Sequence, residues 1–321
     1  MAHEIELVGG KASTAYFGKT PWHRLGTELD ETDIFDWQKT CVKSGLDWDV
    51  ELVSLVTADS QVKVENKAVR RSSDQKILGV VGPRFQPLQN KDAFGWFQPF
   101  LDAKEASLEC AGSLRSGSRV WVLARLNRSA IEVAAGDIVE KFLLLSHGHD
   151  GSLSVRVGFT PIRVVCANTL AMAHGSDASK LIRVKHSRSV LDNLAAIRET
   201  ISIANERFEA TAEQYRRLAR KSINQADVRK YVYRVLDIAD ESKASTRIMN
   251  IAQAMIDLAE TGRGNDLPSV RGSLWASWNG ITQYLAYNRG SNTDSRLDSL
   301  WFGDSAVLNK KALDVALSMA V

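Results

Sequence analysis

The sequence predicts an α+β protein: an antiparallel or mixed sheet with packed helices, followed by an all-helical C-terminal region with a long heptad-patterned helix. Three observations carry this. Segments of alternating or β-branched apolar residues fill positions 50–166, and helical spacing takes over beyond about position 168. The longest apolar runs, such as Phe142-Leu143-Leu144-Leu145, are strand-sized, far short of the roughly 20 residues that cross a bilayer. A chain of 321 residues with 44% apolar and 25% charged content suits a soluble globular protein of one large domain or two. The change in texture predicts a boundary near residue 180. It separates a sheet-rich α+β domain (1–180, with an irregular aromatic N-terminal segment) from a helical domain (181–321) bearing a basic arm.

Residues 1–50 mix Tyr16, Phe17, Trp22, Phe35, Trp37 and Trp48 with Gly and Pro, and predict turns plus a short helix over 33–44 capped by Thr32. Strands are expected at 50–57, 61–70 and 77–81, then a helix from Asn90 to Leu101 with Phe94, Phe97 and Leu101 on one face. Further strands are expected at 107–114, 119–126, 140–146, 154–159 and 162–166, with a polar hairpin loop at Arg115-Ser116-Gly117-Ser118. Asn168-Thr169 reads as the N-cap of a following helix. Leu194, Ile197, Ile201, Ala204, Phe208, Thr211, Tyr215 and Leu218 repeat with 3,4 spacing, the a/d seam of one long helix packed lengthwise on another. Later helices are expected from Asn224 or Asp227, over 245–259 and 269–285, and over 310–319.

Charge is segregated along the chain. Residues 181–235 hold 12 Lys and Arg against 6 Asp and Glu, whereas 1–180 hold 21 against 22 and 236–321 hold 8 against 10. A near-neutral body with a basic helical arm suggests an anionic partner, most commonly a phosphate backbone. Arg183, Lys185 and Arg188 open the arm; Arg216, Arg217, Arg220 and Lys221 end the heptad helix; Arg229 and Lys230 follow on the next one. Like-charge pairs four apart, such as Arg216/Arg220 and Arg217/Lys221, each cost a helix a few tenths of a kcal/mol, which a shared anion would reverse. These nine side chains, with Arg119 and Arg163 near the sheet, are the expected phosphate contacts. The bland alternative is a solvated face offset by Glu199, Glu206, Glu209 and Glu213.

Other chemistry finds less support. Arg115, Arg119 and Arg125 flank Trp121, an arrangement able to clamp single-stranded bases, but Trp121 between Val120 and Val122 is expected to point into the core. His147-Gly148-His149-Asp150 lacks a third metal ligand at readable spacing and reads as a polar hairpin tip. Cys166 could pair with His174 or His186, yet it ends an apolar run, the setting of an inert thiol. Gly79-Val80-Val81-Gly82 and Gly262-Arg263-Gly264 lack the strand–loop–helix Gly-Lys-Ser/Thr context of a phosphate loop. No catalytic residue, metal or cofactor is therefore expected, and an enzyme is the less favoured class. A metal-dependent activity on mobile DNA using Asp, Glu or His stays a third reading. Cys41, Cys110 and Cys166 suit reduced thiols, and the opening Met-Ala-His-Glu-Ile-Glu has neither the basic nor the apolar region of a secretory signal, so a cytoplasmic protein without membrane attachment is expected.

Several segments resemble a known family, the phage- and plasmid-encoded proteins defined by a large domain of unknown function. They include Thr20-Pro21-Trp22-His23, Arg84-Phe85-Gln86-Pro87-Leu88-Gln89-Asn90, Gly117-Ser118-Arg119-Val120-Trp121, His149-Asp150-Gly151-Ser152 and the run from Val157-Gly158-Phe159-Thr160-Pro161 to Leu170. Arg183-Val184-Lys185-His186-Ser187, the run from Gly272-Ser273-Leu274-Trp275 to Tyr284, Phe302-Gly303 and Lys310-Lys311-Ala312-Leu313 complete the set. The resemblance implies a mobile-element setting but carries over no catalytic residue. A small sheet followed by a basic helical arm is also loosely similar in architecture to single-strand annealing recombinases, a fold-level analogy. The combined expectation is a nucleic-acid-binding protein, of single-stranded DNA in annealing and recombination, acting as a homo-oligomer. The alternative is a mobile-element assembly factor without enzymatic activity, working through the heptad helix.

Overall fold

The computed structural model describes residues 6–8, 10–18, 26–127, 130–163, 168–169, 182–200, 204–289, 299–300 and 303–321, the side chains of 163, 168–169, 198–200 and 204–210 excepted. The short strands β1 (Leu7–Val8), β2 (Lys11–Ala12), β3 (Thr14–Phe17) and β4 (Thr27–Leu29) come first. Helix α1 (Trp37–Lys43) is capped by Asp36, whose carboxylate accepts from the Gln38 and Lys39 amides. Thr32, the expected cap, instead donates its hydroxyl to Asp30 ahead of a 3-10 turn at Asp33–Phe35. Strands β5 (Val50–Val56), β6 (Lys63–Arg71) and β7 (Ile77–Val81) form an antiparallel meander close to the expected bounds.

The helix expected over 90–101 is two helices, α2 (Asn90–Gly95) and α3 (Gln98–Asp102), with Pro99 in the first turn of α3, where its missing amide costs no bond. Phe94, Phe97 and Leu101 are buried as expected. Strands β8 (Ala106–Leu114) and β9 (Arg119–Leu126) follow, then β10 (Ile131–Ala134), which the sequence reading missed, and β11 (Asp137–Gly148), longer than expected. β12 (Val155–Arg163) runs through Pro161 where two strands were expected. Asn168–Thr169 is itself strand β13, paired with Ile162 and Arg163; the helix it was expected to cap lies outside the described residues. β14 (Ile182–Val184) pairs with the start of β12.

The helical part comprises α4 (Val190–Thr200), α5 (Ala204–Arg220), α6 (Gln225–Val235), α7 (Thr246–Thr261), α8 (Leu274–Gln283) and α9 (Asp304–Met319). Whether one heptad helix runs through these positions lies outside the described residues, because 201–203 are not among them. The seam falls on α4 and α5: Leu194 and Ile197 are buried on the first, Thr211, Tyr215 and Leu218 on the second. Ile201 lies outside the described residues, as do the side chains of Ala204 and Phe208.

Contacts divide the chain into two interleaved units. The first takes Met1–Arg128, Phe142–Phe159 and Lys180–Ser202. Its main sheet orders β12, β11, β9, β8, β3 and β4; the β11–β9, β9–β8 and β8–β3 pairs are antiparallel and the β3–β4 pair is parallel, and the unit also contains the β5–β6–β7 meander. Along β9, Val120, Val122 and Ala124 face inward with Leu108, Ala111, Leu143 and Leu145 of its neighbours, all essentially without solvent exposure. The second unit takes Ser129–Lys141, Thr160–Ser179 and Ile203–Val321. Its centre is α8, on which every residue from Leu274 to Thr282 is buried. Tyr215, Trp275 and Trp278 meet there with ring centroids 5.0–5.4 Å apart, each contact worth about 1 kcal/mol beyond its buried area. The Trp275 indole donates to Asp137 at 2.8 Å and that of Trp278 to Asn309 at 3.1 Å, so both polar edges are satisfied.

Candidate functional site

The basic arm divides between the units. In the first, β14 places Arg183 directly opposite Arg156 of β12. Val184 turns inward onto Val155, while Arg183, Lys185 and Arg188 are exposed. None of these three makes an ion pair or side-chain hydrogen bond among the described residues. Between them His186 anchors the segment. Its two ring nitrogens lie 3.2 and 3.1 Å from the carbonyl oxygens of Gln86 and Leu153, its ring stacks on Phe85 at 4.6 Å, and its own carbonyl accepts from the Gln86 amide at 3.1 Å. Burial holds this imidazole below its ordinary pKa, with the two carbonyls acting the other way. The backbone is thus pinned while three cations project from it.

In the second unit most predicted contacts already have protein partners. Arg216 and Arg220 share Glu213, and Arg216 also donates to the Glu132 carbonyl at 3.2 Å. The cost of their four-residue spacing is therefore relieved by a carboxylate on the same helix. Arg217 donates to the Leu317 carbonyl at 2.9 Å, a last-turn acceptor of α9, where a cation also meets the negative end of the helix dipole. Arg229 reaches the Tyr233 hydroxyl at 3.1 Å and Glu241 at 3.7 Å. Lys221 is half-buried and Lys230 exposed. Back in the first unit, Arg119 donates to Ser152 at 3.1 Å and Trp121 is buried. The Arg163 side chain, Cys166 and His174 lie outside the described residues. Cys41 and Cys110 are free, and burial pushes Cys41 up to about 12, an inert thiol.

The polar hairpin tip expected at His147–Asp150 is a misreading, because both histidines have no solvent exposure. His147 pairs with Val120 across β11–β9, so pleat alternation aims it into the core; His149 follows two residues later on the same side. The rings meet edge to face at 4.8 Å, and His149 lies 5.3 Å from Trp48. Asn90 sets the tautomer of His149. Its amide nitrogen donates to the Leu46 and Trp48 carbonyls, so its oxygen is the acceptor for His149 Nε2–H at 3.1 Å. His149 Nδ1, both His147 nitrogens and Trp48 Nε1 have no hydrogen-bond partner among the described residues. Burial pushes His149 down to about 3 and His147 well below its ordinary value, so both stay neutral.

Beyond Trp48 lies Arg71, its guanidinium 5.1 Å from the indole centre and only 2% exposed. It donates to both oxygens of buried Glu6 at 2.7 and 2.8 Å and forms a fork with Asp74 at 2.9 and 2.6 Å. Sequence reasoning passed over this network: Arg71 and Asp74 are three apart, but Glu6 is 65 residues away with no local signal. Gly117 closes over it at φ +88°, where a Cβ would lie 2.5 Å from Arg71 Nη1.

Among the described residues no group of three or more His, Cys, Asp or Glu could hold a metal ion, and no helix is long and apolar enough to cross a membrane. Comparison with known proteins gives one match: a family model described as a domain of unknown function, DUF932, covers residues 77–301. No curated protein and no solved structure is matched.

Proposed function

This chain belongs to the DUF932 family, and from that premise we propose that it is a nucleic-acid-binding protein whose primary phosphate contacts are Arg183, Lys185 and Arg188. The observation that carries the reading is the pinned segment. Three exposed cations without protein counter-ions among the described residues stand on a backbone fixed by His186. The backbone's ordering entropy is spent before binding, which leaves only the side chains to be ordered by a ligand. In the second unit, Lys230 and Lys221 are additional contacts in this reading, and Arg216, Arg217, Arg220 and Arg229 contribute by leaving their protein partners.

In this reading the polyanion is single-stranded DNA, and the role is strand annealing in the recombination of a phage or plasmid, performed by a homo-oligomer in the cytoplasm. That part rests on the resemblance of motifs and on charge segregation. Filter binding of a labelled single-stranded oligonucleotide across a salt series tests it. We expect log affinity to fall linearly with log salt, with a slope of about −0.7 per phosphate contact. Absence of binding at low salt, or affinity indifferent to salt, overturns it.

A further inference from the structure

In the first unit, the segment that carries Arg183, Lys185 and Arg188 lies against a second stretch of chain far from it in sequence. Strand β7 ends at Val81, and a turn follows in which the Phe85 amide donates to the Gly82 carbonyl at 3.1 Å. Pro83 presets the backbone at the second position of that turn, and Arg84 stands at the third. Arg84 is exposed and makes no ion pair or side-chain hydrogen bond among the described residues. Directly after it, Phe85 lays its ring on His186, with centroids 4.6 Å apart and planes 27° from parallel. Gln86 then ties the two stretches together. Its amide donates to the His186 carbonyl at 3.1 Å, and its own carbonyl lies 3.2 Å from the ring Nδ1. Phe85 and His186 are each half-buried, so part of the stack is open to solvent. Two apolar side chains on either side of His186, Ile182 and Leu191, are 44% and 52% exposed.

Four unpartnered cations, Arg84, Arg183, Lys185 and Arg188, therefore flank one aromatic stack. Two carboxylates lie among them. Asp150 is within electrostatic reach of His186, and it accepts from the Ser152 amide and hydroxyl at 2.9 and 2.7 Å, the hydroxyl that Arg119 also meets. Asp192 is exposed in the first turn of α4, where it complements the positive end of the helix dipole. Four cations against two engaged carboxylates leave the surface positive. A duplex keeps its base faces stacked inside, so a ring beside the cations gives it nothing. A single strand offers unpaired base faces next to its phosphates, and an aromatic face among cations holds both. Resting on the phosphate-contact reading above, we infer that the Phe85–His186 stack is a base-binding subsite that selects single-stranded nucleic acid, with Arg84 as a further phosphate contact. Neither Arg84 nor Phe85 lies in the basic stretch 181–235, so counting charge along the chain passes over both.

The probes are a labelled oligothymidylate and an abasic strand of the same length, which keeps every phosphate and lacks the bases. The full chain is titrated into each at low salt and followed by fluorescence anisotropy. Wild type should bind the oligothymidylate about tenfold or more tightly than the abasic strand, the worth of a stacked base. Phe85→Leu keeps an apolar side chain on His186 but removes the aromatic face. It should bring the two affinities together without changing that for the abasic strand, whereas Phe85→Tyr should keep them apart. Arg84→Ala should lower the salt slope by about 0.7 on both strands. Urea midpoints verify that the variants keep their fold, and the wild-type comparison of the two strands stands without any variant. Equal affinity for the two strands overturns the inference and leaves the phosphate contacts standing. So does a difference that survives Phe85→Leu or is lost in Phe85→Tyr, or a slope unchanged in Arg84→Ala. Binding to neither strand at low salt overturns the phosphate-contact reading and this inference with it.

Discussion

Arg71 satisfies two carboxylates at a position with almost no solvent, and Glu6 is nearly as buried, so the energetics of this pair lie in what remains if one member is lost. Arg71→Met leaves the Glu6 carboxylate buried and unpaired and is expected to lower stability by about 3 kcal/mol or more. Urea unfolding measures it, and a midpoint within error of wild type rejects the claim. The histidines beside it make a prediction in pH. An unfolded histidine titrates near pH 6.5, whereas His149 in the fold titrates at about 3 and His147 also well below. Between those values the unfolded chain binds protons that the folded chain refuses, so stability is complete above about pH 6.5 and falls as pH drops, by up to about 1.4 kcal/mol per unit and per group. Lowering pH from 7.5 to 5 should move the urea midpoint down before carboxylates titrate. His147→Leu, which removes two unpartnered nitrogens, should flatten that dependence at little cost at pH 7.5; equal slopes in the two proteins would show that His147 is not responsible. None of this was legible in sequence. His147-Gly148-His149 carries turn-like composition, and only the register of β11 against β9 reveals that its rings point inward.

Elements were legible wherever a local cap or period decides them. Asn224 and Ser245 do start α6 and α7, each side-chain oxygen accepting from an amide three residues on, at 2.9 and 3.3 Å. The start of α2 is set instead by tertiary partners: Asn90 spends its amide on Leu46, Trp48 and His149, and Gln89 ahead of it spends its side chain on the Val50 amide and carbonyl at 2.9 Å rather than on a helix cap. A 3,4 spacing reports which face is apolar, and Leu194 and Ile197, like Tyr215 and Leu218, are buried as it predicts. The α7–α8 crossing depends on a feature no period contains. A Cβ on Gly280 would lie 2.6 Å from the Ala259 amide nitrogen, and beside it Asn265 donates to the carbonyls of Leu258, Ala259 and Ala276. Gly280→Ala must push the helices apart, with an expected loss of about 2 kcal/mol or more in a fully buried contact. A thermal midpoint unchanged from wild type would mean that the crossing yields at no cost.

At the scale of the whole chain, the excess of Lys and Arg over residues 181–235 was visible by counting, but its use was not. Counting cannot separate a cation that faces solvent from one that closes a helix end, as Arg217 does on α9, or one that shares a carboxylate, as Arg216 and Arg220 do. This separation makes the binding hypothesis sharper than net charge allows. Removing exposed, unpartnered cations should subtract from the salt slope and leave the fold alone, since surface charges contribute little to stability. Removing partnered ones should alter local packing and change the slope less. The combined variant Arg183→Ala, Lys185→Ala, Arg188→Ala is therefore expected to reduce the slope for a single-stranded oligonucleotide by about 2, three contacts at about 0.7 each, with an unchanged urea midpoint. Arg216→Ala with Arg220→Ala is expected to leave most of the slope intact and to move stability by no more than about 1 kcal/mol. Should the slope follow the α5 pair and ignore the β14 segment, the phosphate-binding surface belongs to the second unit, and Glu213 must release its arginines when the strand arrives.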